Sequence, residues 1–445
     1  MTVFKFGGSS VADAGWINKV VDIVGPRANE APVVVASAMG KTTDRLVEIS
    51  NYGARGNLSE AESLLAGLRE HHLTAAGALF GGELAGEVAQ SIEALISELE
   101  AVVHGLALVR ECTPRTYDAI LSFGERLSTL LLSSAFRSRG IDSILLDSRD
   151  LITTDDTFSS AIPDFAATNR RMTSDVHPTP GTVLVLQGFI ASTGEGVTTT
   201  LGRGGSDFTA TIVGAALRAD AVEIWTDVDG IMTSDPRVVP GAKTLKEISY
   251  AEAAELAFFG AKVVHPFTIE PAIDLGIPVW VRNTRNPGHP GTKISESSEE
   301  KGVRALASKN DVTVVSIQSY RMLNAHGFLA SIFSIFAEAR ISVDLVATSE
   351  VSVSMTLDRA EGLPAVIPRL EELGKVEVET NKGIVCLVGK GLWRHSAVVA
   401  RVLTPLRDVP LRMISLGSSD TNLSLVVAQE DADRAVRQLH DAFLS

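Results

Sequence analysis

The sequence predicts an α/β fold, a central sheet with helices on both faces, followed by two interleaved βαββαβ units. Three observations carry this reading. Short apolar runs alternate with long helical patterns over the first part of the chain. Several of those runs end in turns containing glycine or aspartate. After a polar stretch, Ser295-Glu296-Ser297-Ser298-Glu299-Glu300-Lys301, the rhythm changes to strand, helix, strand, strand, helix, strand.

In chain order, residues 3–6 read as a strand, 12–24 as a helix, 32–37 as a strand and 59 to about 110 as a helical stretch. Further strands are expected at 143–146, 182–187, 221–226 and 278–281, with a helix over about 208–217. In open α/β sheets the carboxyl ends of the strands carry the ligand site, so chemistry is expected just after these strands. Beyond the polar stretch the first unit has strand 312–318, helix 328–339, strands 342–348 and 351–357, helix 363–373 and strand 375–379. The second has strand 384–388, helix 397–406, strands 411–416 and 422–428 and helix 431–443, one strand short. Residues 303–307 are the candidate for that strand, which would interleave the units. The expected boundaries are 1–294 for the first domain, 295–301 for a linker and 302–445 for the paired units. Within the pair, about 311–381 form one unit and about 302–310 plus 382–445 the other.

At 445 residues, 45% hydrophobic and 21% charged, the chain suits a soluble globular protein of two or three folding units. A formal net charge of −14 without a run of Lys or Arg argues against nucleic acid or an anionic membrane as principal partner. Anionic ligands must therefore meet local positive charge. Cys112 and Cys386 have neither disulfide-framework nor metal-site spacing, so both are expected to be buried thiols, and no metal held by protein ligands is expected. No apolar run is long enough to span a bilayer and no leader precedes the first strand, so a cytoplasmic location is expected.

Lys5-Phe6-Gly7-Gly8-Ser9-Ser10 puts a lysine at a strand end and two glycines in the turn before a helix. Glycines let backbone N–H groups approach phosphate oxygens, and the lysine adds a full positive charge. A tight turn with a surface lysine explains the same residues. The spacing is neither that of a Walker A loop nor that of a dinucleotide fingerprint. Thr199-Thr200-Leu201-Gly202-Arg203-Gly204-Gly205-Ser206-Asp207 is a second glycine loop leading into a helix. Arg203 offers a planar fork for a carboxylate or phosphate, and Asp207 reads as a helix N-cap, as a site residue, or as both. Ile224-Trp225-Thr226-Asp227-Val228-Asp229-Gly230, followed by Ser234-Asp235-Pro236-Arg237, could hold ribose or a magnesium–nucleotide complex, or simply form turns.

Together with Ser122-Phe123-Gly124-Glu125-Arg126-Leu127-Ser128 and Phe259-Gly260-Ala261-Lys262-Val263-Val264-His265-Pro266, these constellations resemble the aspartokinases of the amino acid kinase family. Five motifs stand in family order, and the likeness extends over nearly the whole chain. The paired C-terminal units resemble the tandem, interleaved, ferredoxin-like ACT domains of those enzymes.

The resemblance implies transfer of the γ-phosphoryl group of ATP, with Mg²⁺ carried on its phosphates, to the side-chain carboxylate of L-aspartate. The product would be 4-phospho-L-aspartate, on the way to lysine, threonine and methionine. It implies that Lys5, Gly8 and Asp207 are catalytic and that Lys5, Gly7, Gly8 and Ser9 surround the phosphates. Ser37 and Thr43 would lie beside the aspartate, Glu125 would hold its amino group, and Arg203 its α-carboxylate, with Gly204, Gly205 and Ser206 adjoining. Thr226, Asp227, Met232, Arg237, Lys262 and Val263 fall where the family binds ATP. Met232 departs from the tyrosine of many relatives, and His265, before Pro266, reads as structural. A side-chain carboxylate with a pKa near ~4 is already ionised, so it needs no general base. Lysines, an arginine, glycine N–H groups and Mg²⁺ are a sufficient set for positioning and charge neutralisation.

The segments Met322 to Leu329, Ile341 to Leu345 and Thr348 to Glu350 read by shape as a helix cap and solvent-facing acids. They also resemble the effector sites of lysine-sensitive aspartokinases, which implies contacts at Met322, Phe328, Leu329, Val343, Asp344, Ser349 and Glu350. L-lysine is the favoured inhibitor, threonine the next, and an uncoupled site the third reading. Two rival functions stand beside this one. Another amino-acid kinase leaves Glu125, the Arg203 loop and the ACT pair unexplained together, and an inactive ACT-based sensor has no use for Lys5, Arg203 and Asp207. Exposed ACT sheet edges would need covering, so a homodimer or a dimer of dimers is expected.

Overall fold

The computed structural model describes residues 1–260, 266–297, 302–323 and 325–444. Two compact units are formed. One comprises Met1–Ile231, Lys246–Tyr250 and Val263–Ser297, the other Met232–Leu245, Ala251–Lys262 and Ser298–Ser445. The segments 232–245 and 251–262 thus cluster with the C-terminal unit, although both precede the expected linker. Val239 explains the first of them, since it is buried in the same apolar core as Leu306, Val385 and Leu425.

The first unit is built on an eight-stranded sheet in the order Asp142–Leu146, Thr182–Gln187, Val33–Ala36, Thr2–Phe6, Ala221–Thr226, Val279–Asn283, Thr292–Ser295, Glu247–Ser249. All neighbours are parallel except Val279–Asn283 with Thr292–Ser295. The Thr2–Phe6 and Val33–Ala36 strands are buried at every residue, as expected of parallel strands covered on both faces. Phe4, Phe6, Val34, Ala36, Val183 and Val185 face a core shared with the helices up to Ser138. On the other face the Gly205–Ala216 helix comes close at Gly214, where a Cβ would stand 2.7 Å from Val222 Cγ2. Thr2–Phe6 lies between strands from opposite halves of the sheet, a topological switch point, so a crevice opens at its carboxyl end.

Several expected bounds differ. The helical stretch from 59 is two helices, Leu58–Leu79 and Gly82–Val109, because Phe80 and Gly81 are extended and Gly82 takes a φ of +60°. The first helix begins at Ala14, capped by Asp13, after a 3-10 turn over Gly8–Val11. The strands Glu247–Ser249 and Thr292–Ser295, and a small sheet of Thr153–Thr154, Ile190–Thr193 and Thr198–Thr200, were not foreseen. Cys386 is buried as expected, but Cys112 is only half-buried, in the turn after the left-handed Arg110 that ends a helix. Among the described residues no helix is long and apolar enough to cross a membrane.

In the second unit the interleaving is realised by two long strands. Gly302–Gln318 runs antiparallel to Lys375–Lys390, with residues 302–309 opposite 384–390 and 312–318 opposite 375–382. The pieces expected at 303–307 and 312–318 are therefore one strand, and those at 375–379 and 384–388 another. Register slips between Lys309 and Val312, and Asp311 and Asn381 both adopt positive φ there. On one side of the slip Val315, Ile317, Ile332, Met355 and Leu370 share a core. On the other Leu306, Val385, Leu425 and Leu439 share a second. The strand expected at 342–348 is reduced to Val346–Thr348.

Candidate active site

Lys5 is carried by the central strand and faces the crevice. Its Nζ stands 2.7 Å from Asp207 Oδ1, with both side chains largely buried (11% and 14% exposed). The contact is a charge pair without hydrogen-bond alignment. Asp207 does not cap its helix. Gly204, in the left-handed region at φ +73°, occupies that position, and Asp207 sits in the first turn, where a carboxylate also complements the helix dipole.

After Lys5 the chain turns through Gly7 and Gly8. Gly8 must lack a Cβ, since one would stand 2.9 Å from the Ala38 carbonyl oxygen of the adjoining 37–40 loop. The two loops are tied by Ser37 N–H donating to Phe6 O (3.0 Å) and Gly40 N–H donating to Gly8 O (3.1 Å). Ser9 is exposed, whereas Ser10 is buried against Thr284.

Glu125 lies in the Pro114–Ser138 helix at 2% exposure. Ala38 N–H donates to its Oε1 (3.0 Å), while Oε2 is enclosed with no partner among the described residues. Burial pushes its carboxyl up to about 8, against the pull of the backbone N–H groups. Ser128, one turn on, donates to Ser37 O (2.7 Å), and Ser37 Oγ donates to Ser206 Oγ (2.9 Å). Helix, loop and glycine turn are thereby locked together.

Lys5, Ser37, Thr43, Glu125, Gly204, Gly205, Ser206 and Asp207 line one cavity of about 300 Å³, together with Phe189 and Gly202. Arg203 stands exposed on the same loop and has no ion-pair or hydrogen-bond partner among the described residues. Thr226 ends the strand beside that of Lys5 and Asp227 follows it, with Thr226 Oγ1 donating to Asp227 Oδ1 (3.3 Å). Asp229 accepts from Asn283 (2.8 Å) and Asn286 (3.2 Å), which fixes this turn. Met232 and Arg237 belong to the second unit, where Arg237 is bound to Asp235 in its own turn. Lys262, Val263 and His265 lie outside the described residues.

Sequence reasoning missed Asp118, Gly188 and Phe189. Asp118 is buried in the same helix as Glu125 and accepts from Ser159 N (2.8 Å), Ser159 Oγ (3.2 Å), Thr200 N (2.9 Å) and Thr200 Oγ1 (3.0 Å). It thus supports the glycine loop from beneath. The seven-residue spacing of Asp118 and Glu125 would have put them on one helix face, had that helix been recognised. Gly188 follows an expected strand, and a Cβ there would stand 2.6 Å from Ser206. Phe189 holds a φ of +68°, fixed by its N–H donating to Thr209 Oγ1 (3.0 Å). No sequence signal marks that conformation.

Of the expected effector residues, Met322, Phe328 and Val343 pack partly on the core of the first ACT-like unit, and Leu329 is exposed. Ser349 Oγ is 2.7 Å from Ser352 Oγ, and Glu350 is exposed. Asp344 is half-buried, and burial, then its neighbour Asp358, raise it to about 7, with Lys309 opposing.

A lysine–aspartate pair at the switch point of a parallel sheet, joined to two interleaved βαββαβ units, defines a class. The amino acid kinase family profile matches residues 1–283, the ACT domain profile matches residues 385–443, and the chain belongs to the amino acid kinase family. Within that family it is an aspartokinase by likeness over essentially its whole length. It is 39% identical to lysine-sensitive aspartokinase 3 of Escherichia coli K12, covering 99% of this chain and 98% of that one. The crystal structure of E. coli aspartokinase III with aspartate and ADP (R-state) matches with a TM-score of 0.86 at 38% identity, covering 100% of both chains. The same enzyme with lysine and aspartate (T-state) matches at 0.84 and 39% identity, again over 100% of both.

Proposed function

We propose that this chain transfers the γ-phosphoryl group of ATP to the side-chain carboxylate of L-aspartate, giving 4-phospho-L-aspartate, and that L-lysine inhibits it. The observation that carries the reading is the single cavity uniting the Lys5–Asp207 pair with a buried Glu125 whose second oxygen lacks a partner. The substrate ammonium is the complement of Glu125 Oε2, and the free guanidinium of Arg203 suits the α-carboxylate. Asp207 holds Lys5 Nζ at the strand end, where its charge can offset the transferred phosphoryl group. The glycine turns supply backbone N–H groups, and Ser37, Thr43 and Ser206 orient the acceptor. No proton need be removed from an ionised carboxylate, so orientation and charge account for the rate.

Mg²⁺ is assigned to the nucleotide's phosphates, where it would neutralise charge. Such an ion would share the charge of those phosphates with Lys5, which stands at the same cavity paired to Asp207. Thr226, Asp227, Met232, Arg237, Lys262 and Val263 are the nucleotide contacts in this reading. The effector contacts are Met322, Phe328, Leu329, Val343, Asp344, Ser349 and Glu350. The edge strands Val346–Thr348 and Met413–Leu416, with Val346, Ile414 and Leu416 exposed, favour pairing of the ACT units into a homodimer or a dimer of dimers.

A coupled assay for ADP, run with aspartate and with glutamate, tests the chemistry, and hydroxylamine trapping identifies the acyl phosphate. Aspartate-dependent ADP and hydroxamate are expected. No aspartate-dependent turnover, or a preference for glutamate, overturns the reading. Activity unchanged in millimolar lysine would overturn the regulatory part, and inhibition by threonine instead would reassign it.

A further inference from the structure

The second unit holds a cluster of charge that the reading above uses only in part. Asp358 directly follows the Ser352–Leu357 strand, and Asp344 N–H donates to Thr356 O (2.9 Å), which brings the two carboxyls face to face. Asp344 Oδ2 and Asp358 Oδ1 are enclosed without a well-aligned donor among the described residues, the Asp358 side chain and N–H being what stands nearest the Asp344 carboxyl. One cation serves both acids. Lys309 Nζ pairs with Asp358 Oδ2 and at the same time stands 4.8 Å from the ring centroid of Phe258.

Phe258 is the last residue of the Tyr250–Phe258 helix. The chain after it lies against the same long strand, since a Cβ on Gly260 would stand 2.6 Å from the carbonyl oxygen of Ser308, the neighbour of Lys309. This stretch runs directly into Lys262. Two acids with one lysine and two unmet oxygens favour a second cation, and an arriving ammonium at Asp344 would compete with Lys309 for the pair.

We infer that Lys309 is the positioning residue through which an amino-acid ammonium at Asp344 acts on the Phe258–Gly260 segment: as the ammonium takes over its share of the two acids, Lys309 is released from Asp358 and committed to the ring of Phe258, the contact that inhibition requires. The inference rests on the reading that lysine binds at Asp344. It requires binding and inhibition to separate when Lys309 is changed, which a merely structural lysine would not cause.

The test is calorimetric titration of lysine into the full-length enzyme beside inhibition curves, for the wild type, Lys309→Met, Lys309→Arg and Phe258→Leu. Lys309→Met is expected to bind lysine at least as tightly as the wild type, since a competing cation is gone, yet to need about tenfold more lysine for half-inhibition. Turnover without lysine should stay near the wild-type value. Lys309→Arg should restore the response, and Phe258→Leu should weaken inhibition without weakening binding. Inhibition of Lys309→Met that is unchanged, or that falls only in step with its binding, overturns the inference. Should Lys309→Met fail to fold, wild-type inhibition in Phe258→Leu overturns it equally. A wild type that binds no lysine brings down the effector reading and this inference together, whereas a wild type that binds and responds isolates the failure to Lys309.

Discussion

Glu125 in the first unit and Asp344 in the second are both carboxyls raised by burial, to about 8 and about 7. Their neighbourhoods differ. Glu125 faces its cavity with Ala38 N–H on Oε1 and, among the described residues, no partner for Oε2, so in the proposed reading an incoming ammonium meets an unclaimed oxygen. Asp344 is crowded by a second acid and by a lysine already bound to that acid. In the function proposed above the first is a substrate site that waits for its ligand, and the second an effector site whose ligand has to displace something. That is the physical difference between a pocket that only binds and one that can report binding.

The contrast can be broken at its strongest point first. Lys5→Ala is expected to lower kcat about 10²–10³-fold while circular dichroism stays native, as for loss of one preorganised charge at a phosphoryl site. Near-normal turnover would remove Lys5 from the chemistry. Asp344→Ala is expected to raise the lysine needed for half-inhibition about tenfold or more, with little change in turnover without lysine. An unchanged inhibition curve would erase the distinction drawn here.

A finer probe is the pH dependence of aspartate affinity. Below about pH 8 free Glu125 holds a proton that must leave before its carboxylate can meet an ammonium. The KM for aspartate should therefore fall as pH rises from 6 to 8, by at most about tenfold per pH unit, and level off above. Glu125→Gln should raise KM and flatten the profile, and a profile identical to the wild type's would break the assignment.

The smallest effect belongs to a buried group outside both sites. His72, fully buried with Nδ1 2.8 Å from Leu68 O, is lowered by burial to about 4. Between that value and the ordinary 6.5, the unfolded chain binds the extra proton. Stability is then fully present above about 6.5 and declines as pH falls towards 4, by up to about 3 kcal/mol. Urea midpoints at pH 5 and 7 should differ less in His72→Leu than in the wild type, and an equal difference would acquit His72.

Much of the site was legible because its parts are local. Lys5, Gly7 and Gly8, the Arg203 loop and the turn at Thr226 each follow a strand within a few residues, where glycine and charge are visible as a pattern. Asp118 and Phe189 were not, since the importance of each lies in partners far along the chain, Thr200 for the one and Thr209 for the other. The ACT pairing was legible from a missing strand. The single continuous strands that realise it were not, because the slip at Lys309 to Val312 reads in sequence as a turn.

By itself the sequence determined the central strands that lead into the candidate site, the interleaved count of the C-terminal units and the identity of the charges, because apolar periodicity and turn chemistry act between near neighbours. Only the tertiary structure decided that Asp207 pairs with Lys5 instead of capping its helix, that Glu125 keeps one oxygen unmet, and that Lys309 is shared between Asp358 and Phe258. Those outcomes depend on burial and on contacts between distant segments, which set how strongly each charge is felt and which have no local signature.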